Sequence, residues 1–364
     1  MNDEIGVTLF KQESYDHEDK LSFEKDEPFW VPLTFEEQQS ISKHNEASTL
    51  LYEHCQIGQG RKANSKCAFD QMLWKWNENR TGTKPLANLT DLLDHLDERK
   101  THPRKSCNVM FVGDSLSSDH AMALNCQALS LGYKLKSCHT SANSTKYSTK
   151  YGVDSQRVCD RQDHTFDHFT LERDHGFCKK LFIGAVSPTN EGYHDTLSAL
   201  ARNRTYSNGM VVIYNWAVHC NTRNGCIQTV IEDTLLPYVN RISLSNFWKR
   251  YRFKKWIWIY REHEPQHFST SSGLYQNTTT NLWRKNCSRA LVKPDNWRNE
   301  EVRLLLKNYG VSKKVPIIPI FHALEPLWWM HAAPDCTHYC YTPKRFDVTW
   351  DGVIKALHTY ENFD

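Results

Sequence analysis

Asn108-Val109-Met110-Phe111-Val112-Gly113-Asp114-Ser115-Leu116-Ser117 decides the reading of this chain. Five residues of strand character run directly into Gly-Asp-Ser-Leu, and the stretch from Ser118 to Leu131 has helical character. That pattern places one serine on a tight turn at the carboxyl end of a strand. In open α/β sheets this is where ligands bind, and where a serine is exposed both to substrate and to backbone N–H donors. Gly113 allows the sharp turn and a close approach of substrate, and Gly113 and Asp114 are expected to belong to the oxyanion and substrate site.

Working outward, short apolar runs recur at Leu181–Ala185, Met210–Tyr214, Trp256–Tyr260 and Val315–Ile320. Each has the length and composition of a buried parallel strand. Between them lie helical candidates at Tyr193–Asn203, Ile227–Tyr251 and Trp297–Tyr309, with further helices at Leu89–Arg99 and Thr349–Glu361. Strand–helix alternation of this kind predicts an α/β fold, a three-layer α/β/α sandwich around a mostly parallel sheet. Met1 to about Asn45 is charged and expected to be partly disordered. Residues 46–364 are read as a single domain. Its first part, 46–105, carries Cys55, Cys67 and the Leu73-Trp74-Lys75-Trp76 run and is expected to be an irregular, disulfide-tied layer. No internal repeat or low-complexity segment is visible.

With 364 residues, 39% hydrophobic, 12% aromatic and 24% charged, the composition supports a large core. The plain reading of the 12 tryptophans is packing. Net charge is +3 and the two signs are interspersed, so no nucleic-acid partner is expected. The Lys249-Arg250-Tyr251-Arg252-Phe253-Lys254-Lys255 run reads as the solvated end of a helix feeding a strand.

The 12 cysteines are an even number and permit full pairing. Asn-x-Ser/Thr sequons begin at Asn79, Asn88, Asn143, Asn203, Asn277 and Asn286. Together these favour a luminal or secreted protein. Met1 to Lys25 has no apolar core of a signal peptide, and no apolar stretch reaches the roughly 18 residues of a membrane span. The targeting segment and any membrane anchor are therefore expected to lie outside this sequence.

Far downstream, Asp335-Cys336-Thr337-His338 supplies an acid and a base three residues apart. Ser115, His338 and Asp335 make a candidate set for acyl transfer: Ser115 as nucleophile, His338 as the base that takes its proton, Asp335 as the group that orients the imidazole. The plainer alternative for Gly-Asp-Ser-Leu is a helix cap, and for Asp335 and His338 a surface ion pair. Asn215 ends a strand, where its side-chain amide could help bind an oxyanion together with the Ser115 N–H; it could equally cap a loop. His219 is a further candidate for the site, or a structural histidine. Cys336, His338 and Cys340 lack the spacing of a closed zinc site, and no metal is assigned.

These residues resemble the SGNH/GDSL hydrolase superfamily, and within it the PC-esterase group with its trichome-birefringence-like polysaccharide O-acetyltransferases. The likeness runs from about Cys55 to the end. Its pieces are Cys55-Gln56-Ile57-Gly58-Gln59-Gly60-Arg61-Lys62 with Leu73–Trp76, the block around Ser115, Arg261-Glu262-His263-Glu264-Pro265-Gln266-His267-Phe268, and Asp335-Cys336-Thr337-His338-Tyr339-Cys340. The resemblance implies transfer of an acetyl group, through an acyl-serine, to a hydroxyl of a polysaccharide or glycan. It implies no bound cofactor, the acetyl donor being a co-substrate, and a Golgi-luminal or secreted location. An acetylesterase with the same triad is the alternative; an inactive glycan-binding protein is a third. It also implies a disulfide from Cys287 to Cys336 or Cys340. The chain departs from the plant members at Ser118-Asp119-His120, where they carry Arg-Asn-Gln. It departs again at Asn215-Trp216-Ala217-Val218-His219-Cys220, where they carry Asn-x-Gly-His-Trp-Trp.

Overall fold

A computed structural model describes residues 30–34, 36–37, 74–77, 84–98, 107–139, 166–203, 205–207, 209–220, 223–240, 256–268, 270, 273–274, 287–288, 296–331 and 336–361. Its centre is strand β3 (Cys107–Gly113), whose seven residues are all buried. A strand buried on both faces needs apolar side chains at consecutive positions rather than alternate ones, and Val109-Met110-Phe111-Val112 provides them. β3 lies parallel to β6 (Lys180–Val186) on one side and to β7 (Met210–Asn215) on the other. β7 is followed by β8 (Trp256–Arg261) and the two-residue β9 (Ile317–Ile318), both parallel. Beyond β6 the sheet turns antiparallel through β5 (Phe166–Glu172) to the edge strand β4 (Lys134–His139), giving seven strands in the order β4-β5-β6-β3-β7-β8-β9. The chain leaves β3 toward one edge and returns to its other flank at β7. The order therefore reverses at β3, and its carboxyl end opens on the crevice where such sheets bind ligands.

Alternate residues of the sheet divide between two apolar clusters. Val109, Phe111, Ile183 and Ile213 pack with helices α1 (Leu89–Glu98), α2 (Ser115–Ser130) and α8 (Asp347–Glu361). Met110, Val112, Phe182 and Val212 pack with α3 (Tyr193–Arg202), α4 (Cys226–Thr234), α5 (Leu236–Val239) and α6 (Trp297–Asn308). A short helix α7 (Phe321–Leu324) follows β9.

The expected strands and helices are present, with three differences. The helix expected over Ile227–Tyr251 stops at Thr234 and restarts at Leu236. Pro237 is the cause, since it has no N–H and its ring clashes with the carbonyl one turn back. Residues 241–255, over which the rest of that expected helix and the basic run fall, lie outside the described residues. The strand expected over Val315–Ile320 shrinks to Ile317–Ile318. Strands β4 and β5 were not anticipated, because a polar-alternating edge lacks the apolar run of a parallel strand.

Near the amino end, β1 (Trp30–Pro32), from the segment expected to be partly disordered, and β2 (Trp74–Trp76), from the expected irregular layer, form an antiparallel ribbon, so both have regular structure there. Trp30 is buried, meets Trp76 edge-on at 5.6 Å and donates its indole N–H to the Ala323 carbonyl at 2.7 Å. Cys55 and Cys67 lie outside the described residues. Three disulfides join Cys107 to Cys178, Cys220 to Cys226 and Cys287 to Cys336, and Cys126, Cys138 and Cys340 are also oxidised. Among the described residues no cysteine is free, and no helix is long and apolar enough to cross a membrane.

Candidate active site

The turn after β3 is shaped by Gly113. A Cβ there would stand 2.0 Å from the Asn215 carbonyl oxygen and 2.1 Å from Ser117 Oγ, so no larger residue fits without moving backbone. Asp114 then caps α2: its carboxylate accepts from the Leu116 N–H at 3.0 Å, and its carbonyl accepts from the N–H groups of Ser117 and Ser118. This satisfies orphan donors of the first helical turn. The Ser115 N–H, the first of the helix, takes part in none of these bonds. The capping role that was the plainer reading of this motif thus falls to Asp114. Ser115 itself is half-buried.

Its partner is His338. The imidazole Nε2 lies 2.7 Å from Ser115 Oγ, across 223 residues of sequence. With the ring proton on Nδ1, Nε2 accepts the serine O–H, the arrangement that lets the ring take that proton as the oxygen attacks. The backbone around His338 is clamped from several directions. The Cys340 N–H donates to the Met330 carbonyl at 2.7 Å, and His331 pairs with Tyr339 in an isolated bridge. The segment following β8 supplies the rest. The His267 N–H donates to the Cys336 carbonyl, Gln266 Nε2 donates to Thr337 Oγ1 at 2.9 Å, and the Tyr339 hydroxyl donates to the Pro265 carbonyl at 2.9 Å. The Cys287–Cys336 disulfide, one of the two pairings the resemblance implied, ties the same loop to the body. Asp335, the third member of the expected set, lies outside the described residues.

Beneath the turn is a buried charged layer. The Glu264 carboxylate receives Arg261 Nη1 on one oxygen at 3.1 Å and Arg345 Nη1 on the other at 2.7 Å, all three residues being at most 3% exposed. Two guanidinium groups on one carboxylate offset the cost of removing these charges from water. His120 joins this layer from the second turn of α2. Its Nε2 is 3.4 Å from Glu264 Oε1, yet the contact is not an ion pair. Burial first, then Arg261 and Arg345, hold its pKa well below the usual histidine range. Nδ1 faces the Leu116 carbonyl at 2.9 Å and so carries the proton, leaving Nε2 to accept from the Thr349 hydroxyl at 3.2 Å. Asp114 feels this layer too. Burial pushes its carboxyl above the ordinary range, against the pull of Arg261, His219 and His338.

The other expected residues fall as follows. Asn215 pairs with Gly113 in the sheet register and is wholly buried. Its Nδ2 donates to the Arg261 carbonyl at 2.8 Å, which fixes the amide orientation, since a flip would set two carbonyl oxygens against each other. The amide therefore braces β7 to β8. His219 is exposed, its ring 5.5 Å from that of Trp216. Among the described residues no cluster of three or more His, Cys, Asp or Glu is arranged to hold a metal ion.

Sequence reasoning did not single out Arg261, Glu264, Arg345 or His120 as site residues. The signal available was the cluster of charge in Arg261-Glu262-His263-Glu264, directly after an apolar strand where a solvated loop would be ordinary; all four residues are buried. Comparison with family models, with curated proteins and with solved structures gave no match.

Proposed function

We propose that the chain is an O-acetyltransferase that moves an acetyl group through an acyl-Ser115 intermediate to a hydroxyl of a polysaccharide or glycan. The observation that carries this reading is the 2.7 Å contact between His338 Nε2 and Ser115 Oγ at the carboxyl end of the central strand. In the first half-reaction Ser115 Oγ attacks the acetyl carbonyl while His338 takes the hydroxyl proton. His338 then returns that proton to the departing atom of the donor as the acyl bond to the donor breaks. In the second, His338 takes the proton of the acceptor hydroxyl, whose oxygen attacks the acetyl-serine; Ser115 leaves and recovers the proton. We assign Asp335 to orienting His338. The oxyanion goes to the Ser115 N–H at the start of α2, where the helix dipole also favours negative charge. Asn215 and Gly113 are assigned to holding the strand ends rather than to contacting the reacting atoms.

The resemblance to the PC-esterase group supports the same reading, as does the packing of helices against both faces of the sheet, which we take as the three-layer sandwich of SGNH hydrolases. The disulfides support a secretory-lumen or secreted setting. A carbohydrate acetylesterase would use the same groups with water as acceptor. The test is to incubate the protein with an isotopically labelled activated acetyl ester and follow Ser115 by mass spectrometry. Label should appear on the wild type, not on Ser115→Ala, and should pass to added oligosaccharide. Release to water alone would make the esterase reading the right one, and no label on Ser115 would overturn both.

A further inference from the structure

Two buried histidines outside the proposed triad form a chain that ends on His338. His267 Nε2 is 2.8 Å from the Glu325 carbonyl oxygen, and His267 Nδ1 is 2.6 Å from His331 Nε2. His331 Nδ1 is in turn 3.1 Å from the backbone carbonyl oxygen of His338. A carbonyl oxygen only accepts, so each outer nitrogen must carry a proton. The central N···N contact needs one more, or two lone pairs would face each other at 2.6 Å. Three protons are required, and two neutral imidazoles hold only two. Tyr339 cannot make up the difference: its hydroxyl is 3.4 Å from His267 Nδ1, but its single proton goes to the Pro265 carbonyl.

We propose that His331 is held as an imidazolium that donates to both His267 Nδ1 and the His338 carbonyl, and that it is a positioning residue for His338. The proposal rests on the acyl-transfer reading for its effect on rate, but not for the charge it assigns. The third proton belongs on His331 because His267 is kept neutral, burial lowering it to about 4 against the weaker upward pull of the Glu325 carbonyl and carboxylate. That leaves His267 with its Nε2–H on Glu325 and a free Nδ1 lone pair for its neighbour.

Among the described residues, the groups around the pair accommodate one positive charge. The Tyr339 ring lies 4.0 Å from the His331 ring, centre to centre, and presents its π face to a cation. Glu325 lies on the far side of His267 and is itself paired with His322 at 3.2 Å. Arg345 stacks over Tyr339 at 4.6 Å, but its charge is turned to Glu264.

When His331 loses its proton, one of the three hydrogen bonds must go. Either the His338 carbonyl is released or the His267 contact opens, and the hold of His331 on the residue bearing the base is loosened. Rate should therefore fall on the alkaline side through kcat rather than KM. The experiment compares His331→Asn with His331→Gln, using an activated acetyl ester and full pH profiles. An Asn amide stands where Nδ1 stood, donates to the His338 carbonyl and does not titrate. It should keep most of the plateau kcat and lose the alkaline limb. A Gln amide reaches toward His267 instead, and should lose about tenfold in kcat at little-changed KM, the effect of one hydrogen bond to a charged donor. Equal profiles for wild type and both variants would overturn the positioning role. Nitrogen-15 NMR of histidine-labelled wild type, assigned with His331→Asn, reads the charge without any turnover. Two protonated ring nitrogens on His331 at neutral pH are expected, and a neutral tautomer would overturn the assignment. An imidazolium in a protein that never forms acetyl-serine would refute the functional reading alone.

Discussion

The two halves of the site are built in opposite ways. The turn that carries Ser115 is local: Gly113, Asp114, Ser117 and Ser118 fix it within six residues, by one missing side chain and one cap. Among the described residues, the loop that carries His338 is framed chiefly from outside itself. It is held by Met330 and His331 on one side, by Pro265, Gln266 and His267 on another, and by the disulfide to Cys287. A nucleophile can be set by the sharpness of one strand–helix junction. A base that must reach it from 223 residues away has to be placed by the assembled fold.

The largest effect should come from striking the local half. Gly113→Ala puts a methyl group against the Asn215 carbonyl oxygen and Ser117 Oγ, neither of which can move without disturbing β7 or α2. We expect a loss of about 1–3 kcal/mol or more in stability, read by denaturant unfolding, together with loss of acyl transfer. Gly184→Ala is the control within the same sheet. Its Cβ would meet Met110 Sδ at 2.4 Å, the flexible end of a side chain that can swing aside. A Gly184 variant as damaged as the Gly113 variant would mean that the sheet, and not the turn, sets the cost.

A comparable effect, spread over the non-local half, should come from acid. His120, His263 and His267 are all buried with pKa values lowered, by burial first in each case. The unfolded chain protonates them near the ordinary value of about 6.5. Above that pH both states are neutral at these positions and nothing changes. Below it, the unfolded state takes protons that the fold refuses, so stability falls as pH falls. For His267 the window runs from about 6.5 down to about 4, worth ~3 kcal/mol at 1.36 kcal/mol per pH unit. Thermal unfolding from pH 7 to pH 4 should show this slope, and His267→Gln should make it shallower. A flat profile over that range would contradict the neutral assignment of these rings.

The same contrast explains what could be read in advance. The junction at Ser115 was legible because strand, glycine, cap and helix are consecutive letters. The parallel strands were legible because burial on both faces leaves uninterrupted apolar runs. His338 was reachable through the Asp-x-x-His spacing and a family likeness, and Ser115 and His338 do meet. The charged layer was not legible in full, since Glu264 is paired with Arg345 81 positions away and the charge cluster around Glu264 reads equally well as a solvated loop. His120, at a position where the chain departs from the plant pattern, is likewise decided by Thr349, 229 residues on. Asn215 ended its strand as expected, but its amide is directed to β8 because the Arg261 carbonyl lies there.

The central claim is that Ser115 and His338 act as one unit. A double-mutant cycle on kcat/KM for an activated acetyl ester tests it most directly, with Ser115→Ala, His338→Ala and the pair together. Groups that share one proton transfer are not additive, so each single variant should fall about as far as the double. If instead the two losses multiply, or if either single variant keeps the wild-type rate, the 2.7 Å contact is not the reacting pair.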